Sequence, residues 1–522
     1  MAATRRSILS TARETSDSGT IEDDHAHLLL TVAESYADAY PHAPPSLLRP
    51  TTFAGAMGAL LLLLLLLANQ DDHLAANSSQ DEILRQALIL TPVQTQIVHR
   101  HGDRTPITPL KDELFWSTLL PTEELLDDIG RHTNIIRLPD AKPHPAGGGA
   151  VYGRLTVDGL EMMKELGTQL RSDVVERLMP GHYEMKELEN VDPSTWLKVS
   201  STDFSRTIQS VQSLLMGLLP TMPNADIEID ARHTLKMIPD PQPRRYVGQA
   251  ERERELMNSP DFTAKEETMK SLAVRMTNAL FHSGVLGEAA LNVSFGVGED
   301  EAAADAVESP RDLGSSNNDT QRILPWNQLA EILICLEKRD RLPKDISPQD
   351  LKDVAEHNAW RWFALLSDEH LAAMAIKSLA KKMIMNGAEA VDIFPSSAPP
   401  PLLHIFSGHD ATLISILCFF RIERPSVWPE YGSYLKMELL RDDVGVLKDT
   451  PRSSLEAGKA RYYILFSLNG EPLRSTFGGI KDTKDGSNSN RSSRFFVPWL
   501  NFVEGLAVME RGLPPLAAND HP

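Results

Sequence analysis

In "VHRHGDRTP" (residues 98–106) two arginines, Arg100 and Arg104, bracket one histidine, His101, at the end of an apolar, β-branched run. Those residue types suit one chemistry. Arginine is a permanent cation whose planar fork of N–H donors matches the oxygens of a phosphate. A neutral imidazole can attack phosphorus in line and carry the phosphoryl group covalently. The bland reading is a solvated turn, and two later clusters weigh against it. Arg206 opens a helical stretch after "WLKVSST" (residues 196–202), where the positive end of the helix dipole would add to its charge. His409 and Asp410 follow "LLHIFS" (residues 402–407). Cations would stabilise charge on the equatorial oxygens of the phosphoryl group. A leaving alkoxide needs a proton, and Asp410 is the candidate acid. The scheme requires no metal, and no cofactor is expected.

Elements must bring these clusters together. "TQIVH" (residues 95–99), "WLKVSST" and "LLHIFS" read as strands, and "YLKMELL" and "RYYILFSLNG" as later ones. After the first strand, Leu160, Met163, Leu166, Leu170 and Val174 recur at helical spacing behind a candidate cap, Thr156. After the second, Ile208, Val211, Leu215 and Leu218 share one face of a helix stopped by Pro220. Residues 232–394 are mainly helical, with an acidic, small-residue loop at 296–320. Strand, helix, strand, helix and a late strand imply an α/β sheet with helical material inserted. In such sheets ligands bind beyond the carboxyl ends of the strands, so all three clusters should converge on one edge. His99 and His404, within apolar strands, read as core histidines. Asp103 is either a neighbour that tunes the cluster or an exposed turn acid.

The 522-residue chain carries a net charge of −20, which argues against a nucleic-acid-binding face. A phosphate site must therefore be a local cationic pocket. Cys335 and Cys418, the only two cysteines, sit in apolar runs and imply no disulfide framework. Residues 1–50 read as a disordered tail. Within residues 51–70, "FAGAMGALLLLLLLLA" is uncharged and suits a single membrane anchor or a signal segment. Arg49 before it and Asp71 and Asp72 after it favour a cytoplasmic tail. The catalytic bulk is then expected in a secretory or lysosomal lumen or outside the cell. Sequons at Asn77, Asn292, Asn318 and Asn490 lie on that side.

Taken together, "RHGDRTP", "GHDATL" (residues 408–413), "SSTDFSRT" (residues 200–207) and "YGRLTVDGLEMMKELGTQLR" resemble motifs of the histidine acid phosphatases, the family that includes lysosomal and prostatic acid phosphatases and phytases. The resemblance runs over about residues 94–474. It implies a phosphoglycerate mutase-like three-layer α/β/α core, about 91–231 and 395–510, with a helical insertion at about 232–394. It implies His101 as a nucleophile forming a phosphohistidine, with Arg100, Arg104, Arg206 and His409 holding the phosphate. Asp410 would be the proton donor. The departures are the paucity of cysteines, Tyr246 near the place of an insertion cysteine, and Ser200 where animal members carry an arginine.

The expected function is phosphomonoester hydrolysis of acid phosphatase type on a small phosphate ester. Rival readings are a phytase or inositol-polyphosphate phosphatase, a catalytically idle lumenal binding protein of the same fold, and a mutase. A polyphosphate substrate would need additional cations, for which Arg244, Arg245 and "KRDRLPK" (residues 338–344) are the candidates.

Overall fold

Ile97 and Val98 are adjacent, apolar and fully buried, which a strand achieves only when both faces of its sheet are covered. The computed structural model shows that arrangement. It describes residues 77–137, 151–179, 191–220, 225–230, 235, 237, 247–286, 323–391, 402–423, 427–443, 447, 461–477 and 494–511. The N-terminal tail, the segment 51–70, the acidic loop, Arg244, Arg245, Tyr246 and the sequons at Asn292, Asn318 and Asn490 lie outside the described residues. Among the described residues no helix is long and apolar enough to cross a membrane.

The chain divides into two units, Thr91–Arg441 with Tyr462–Pro522, and Met1–Leu90 with Asp442–Arg461. The second contains helix α1 (Asn77–Ile89), on which Leu84 and Leu88 are exposed. The first carries the candidate site. Its described strands are β1 (Thr91–Arg100), β2 (Thr133–Ile136), β3 (Leu197–Ser201), β4 (Ala225–Ile229), β5 (Leu403–Gly408), β6 (Tyr434–Asp442), β7 (Arg461–Leu468), β8 (Glu471–Leu473) and β9 (Phe496–Pro498). The spatial order is β2-β4-β3-β5-β1-β6-β7-β8, with β9 paired to β7. The β2-β4-β3-β5-β1 half is parallel, and β6 joins β1 antiparallel.

Helices cover both faces. Helix α2 (Glu113–Thr118) and helix α3 (Glu123–Gly130) follow β1. Helix α4 (Val157–Leu170), continued by a π-turn (Arg171–Val175), and helix α5 (Ser205–Leu218) pack with Ile97, Val199, Ile227 and Ile405. Thr156 caps α4 by accepting from Gly159 N at 3.1 Å. These two helices approach closely because their contact points are glycines. A Cβ on Gly167 would stand 1.9 Å from Leu214 O, and one on Gly217 2.0 Å from Lys164 O. Next come α6 (Gln249–Met257), α7 (Pro260–His282), α8 (Trp326–Glu337), α9 (Pro348–Leu366), α10 (Glu369–Ala390), α11 (Asp410–Phe419) and α12 (Trp499–Arg511). From α10 and α11, Ile376, Met383, Leu413 and Leu417 meet Val98, Phe406 and Met437 on the other face, and Trp499 and Phe502 of α12 join them. Burying one such side chain contributes about 1.5–3 kcal/mol. The expected α/β class and three-layer arrangement are therefore present. α10, although inside the stretch read as an insertion, lies against the sheet.

Register positions the site. Arg100 pairs with Gly408, and Ser201 with Ser407. The adjacent strands β3, β5 and β1 thus end level, and Thr202, His409 and His101 leave them side by side at one edge. His404 lies within the sheet, bonded to Asn386 Nδ2 at 3.2 Å. His99 is also buried, its Nδ1 bonded to Arg100 O at 3.0 Å. Burial holds His99 down to about 4 and His404 to about 3, so both are neutral core residues.

Candidate active site

The loop after β1 is fastened on several sides. His101 N donates to Gly408 O at 3.1 Å, and Gly432 N donates to His101 O at 3.1 Å. Gly102 N donates to Ser210 Oγ of α5 at 3.0 Å. The start of α4 presses directly on the loop. A Cβ on Gly102 would lie 2.4 Å from Gly159 O, and one on Gly159 would lie 2.2 Å from Asp103 O. Gly159→Ala is therefore expected to lower stability by about 1–3 kcal/mol, the usual range for overpacking. Thermal melting checks this, with the exposed Val157→Ala as a control expected to leave Tm nearly unchanged.

His101 is buried, and its Nδ1 lies 2.8 Å from Gly102 O. A carbonyl can only accept, so Nδ1 carries the proton and Nε2 keeps its lone pair. Burial first, then the charges of Arg206, Arg100, Arg104 and His409, hold the ring's pKa well below the ordinary histidine value. His101 is thus a neutral imidazole of defined tautomer, the form a nucleophile needs. The His409 ring stands 5.7 Å away, edge to face, with Nε2 3.1 Å from Thr202 Oγ1. Burial and then Arg206 depress His409 in the same way.

The arginines differ in their partners. Arg100 pairs with Asp410 at 2.7 Å, donates to Pro429 O and lies 4.1 Å over the Tyr431 ring. Arg104 pairs with Glu331 at 2.9 Å and donates to Thr105 O at 3.0 Å. Arg206, at the start of α5, lies 4.5 Å over Phe204 and has no carboxylate partner among the described residues. Burial, and then repulsion from Arg104, draw Arg206 down to about 9. A buried guanidinium with no ion pair among the described residues, beside two helix N-termini, is a place where an anion is stabilised.

Asp410 is the first residue of α11. Its Oδ1 accepts from Ala411 N at 2.8 Å and its Oδ2 from Trp428 Nε1 at 3.3 Å. Burial would raise its carboxyl, but nearby charges, Arg100 foremost, bring it below the ordinary carboxylate range. Asp103 is not an exposed turn acid. It is buried, pairs with Arg339, stands 3.5 Å from Lys338 and accepts from Thr156 Oγ1 at 2.7 Å.

The structure brings together all six residues singled out from the sequence: Arg100, His101, Arg104, Arg206, His409 and Asp410. Other members of the cluster were not legible. Tyr431 lies under Arg100 and Arg104 in a segment with no periodic signal. Trp428 donates to Asp410 from the same irregular stretch. Glu331, Cys335 and Arg339 come from α8 and its C-terminal side. Their spacing of four residues places them on one helical face, a signal hidden by the apolar run "EILICLEK". Cys335 is buried, 3.6 Å from Tyr431 Oη, and neither cysteine is in a disulfide.

The carboxyl edge of the sheet thus gathers a neutral imidazole, clustered guanidinium groups and a carboxyl, a set whose chemistry suits an anion such as phosphate. Residues 93–270 match the family model described as the histidine phosphatase superfamily, branch 2. Counting factor 60 of Dictyostelium discoideum is 24% identical over 423 residues, 75% of this chain and 83% of the relative. The phytase of Citrobacter braakii is similar in structure at 14% identity and a TM-score of 0.49, over 80% of this chain and 98% of that chain. The multiple inositol polyphosphate phosphatase of Bifidobacterium longum, in complex with inositol hexasulfate, is similar at 10% identity and a TM-score of 0.42, over 83% of this chain and 94% of that chain.

Proposed function

We propose that the protein is a phosphomonoester hydrolase of acid phosphatase type, acting through a phosphohistidine on His101. The observation that carries this reading is the neutral His101, with its Nδ1 proton committed to Gly102 O, beside Arg206, which has no carboxylate partner among the described residues. His101 Nε2 forms a bond to phosphorus while the bond to the ester oxygen breaks. That oxygen leaves with the electron pair and takes a proton from Asp410. Water then attacks phosphorus and gives a proton to the Asp410 carboxylate while the phosphorus–Nε2 bond breaks, its electron pair returns to His101, and phosphate departs. Arg100, Arg104, Arg206 and His409 hold the phosphoryl oxygens through both steps.

The engagement of three of the candidate cations supports simple monoesters over inositol polyphosphates. Of the cations in "KRDRLPK", Lys338 and Arg339 face Asp103, and Arg341 pairs with Asp112 at 2.8 Å. They are engaged at home and poorly placed to serve further phosphates. Rates on a panel of aryl phosphate, alkyl phosphate and inositol hexakisphosphate test this. Turnover of the simple esters with little release from the inositol ester is expected. No turnover of any ester would sink the hydrolase reading and leave a binding protein of this fold. We place the domain on the lumenal or outer side of a membrane anchored by residues 51–70, on the strength of the apolar run and its flanking charges. A glycosidase-sensitive mass shift of the cell-made protein is the corresponding test.

A further inference from the structure

Helix α8 touches the catalytic loop along one stripe. Glu331 Oε1 accepts from Arg104 Nη1 at 2.9 Å and from the backbone N–H of Ile107. Four residues on, Cys335 Sγ lies 3.8 Å from Arg104 O. Four further, Arg339 pairs with Asp103. The loop residues 103–107 are therefore clamped by a helix far away in sequence. Glu331 stands out because it brings a negative charge to a cluster expected to receive a dianion. Its side chain is only 7% exposed, and its second oxygen, Oε2, is buried with no hydrogen-bond partner among the described residues. The formal charges at the site are three arginines against Glu331 and Asp410.

We propose that Glu331 is a positioning residue for Arg104 whose charge also restrains the pocket's hold on phosphate, so that the product is released. This rests on the phosphatase reading for its meaning, but the measured quantity does not require turnover. Through Nη1, Glu331 fixes one edge of the guanidinium and leaves the opposite edge available to an anion. The same carboxylate opposes part of the attraction that three clustered guanidinium groups exert. Without it, a phosphate bound at Arg104 would be held more tightly.

The test is the dissociation constant of inorganic phosphate, measured by calorimetry on the full chain, for wild type and Glu331→Gln. The amide oxygen can still accept from Arg104 and Ile107, so the clamp survives while the charge is lost. Removing one unit charge near a bound anion is expected to tighten phosphate binding about tenfold. A residue with only a structural role would weaken phosphate binding or leave it unchanged when altered, and either result overturns the proposal. So does the absence of measurable phosphate binding to both proteins. Should the glutamine variant lose its cooperative melt, the titration is repeated for both proteins in a stabilising osmolyte such as sucrose, which restores the fold with the amide clamp intact, and the same tightening is expected. A wild type that binds phosphate without hydrolysing an aryl phosphate would refute the phosphatase reading alone. Tighter binding by Glu331→Gln would still uphold the charge effect.

Discussion

His101→Ala is expected to lower turnover of an aryl phosphate by about 100,000-fold or more, the scale on which loss of a covalent nucleophile acts. The effect should be this large because no neighbour can replace the ring. His409 stands 5.7 Å away with its Nε2 engaged by Thr202. Arginine guanidinium groups stay protonated and are not nucleophiles. The residual rate would come from electrostatics alone. Rapid quenching with a phosphorus-labelled ester provides a second measurement. Wild type should show an acid-labile, base-stable phosphoprotein, and the variant none. Circular dichroism and melting should remain cooperative, since the loop backbone is held by Gly408, Gly432 and Ser210. Full activity in His101→Ala would rule out the assigned nucleophile.

Asp410→Asn has the next largest expected effect, and it should depend on the leaving group. A general acid contributes about 100- to 10,000-fold when the departing oxygen needs a proton. Alkyl phosphates should lose rate on that scale. Aryl esters with acidic phenols should lose far less, because the phenolate leaves unaided. A uniform loss across both classes would mean that Asp410 only holds Arg100. The pH dependence follows from the same residues. In the free protein Arg100 pairs with Asp410 and keeps its carboxyl below the ordinary range. A bound dianion competes for Arg100 and places negative charge beside the carboxyl, which raises its pKa in the complex. Only the protonated acid can donate, so alkyl ester turnover should be present at low pH and fall as pH rises through that raised value. Asp410→Asn should lack this limb. His101 must be neutral, and its pKa is depressed, so the acid-side loss should begin below the ordinary histidine range. A wild-type rate on alkyl esters that climbs steadily to alkaline pH would contradict the assignment of Asp410.

Local periodicity was a sound guide where the periodic residues face a core. β1, β3 and β5 fall on "TQIVH", "WLKVSST" and "LLHIFS", and α4 and α5 on their amphipathic stretches. β4, "ADIEI", alternates cleanly but is only five residues long, and β2 is shorter still. Such segments pair because neighbouring strands supply their hydrogen bonds, and that information is absent from the segment itself. The engagement of Asp103 could not be read from the loop that carries it. Its partners Lys338 and Arg339 are more than two hundred residues away.

By itself the sequence determined which chemistry is available. Arginines beside a histidine after one strand, an arginine after a second, and a histidine with an aspartate after a third name the reacting groups. Their strand-end positions imply convergence, because parallel strands that end level deliver their following residues to one edge. Tertiary structure decided which of those groups are free. It tied Arg100 to Asp410 and Arg104 to Glu331, left Arg206 without a carboxylate partner among the described residues, and set the His101 tautomer through one backbone carbonyl. The physical reason is that burial and pairing, rather than residue type, set the charge and availability of an ionisable group. Both depend on helices that meet the loop only once the chain has folded.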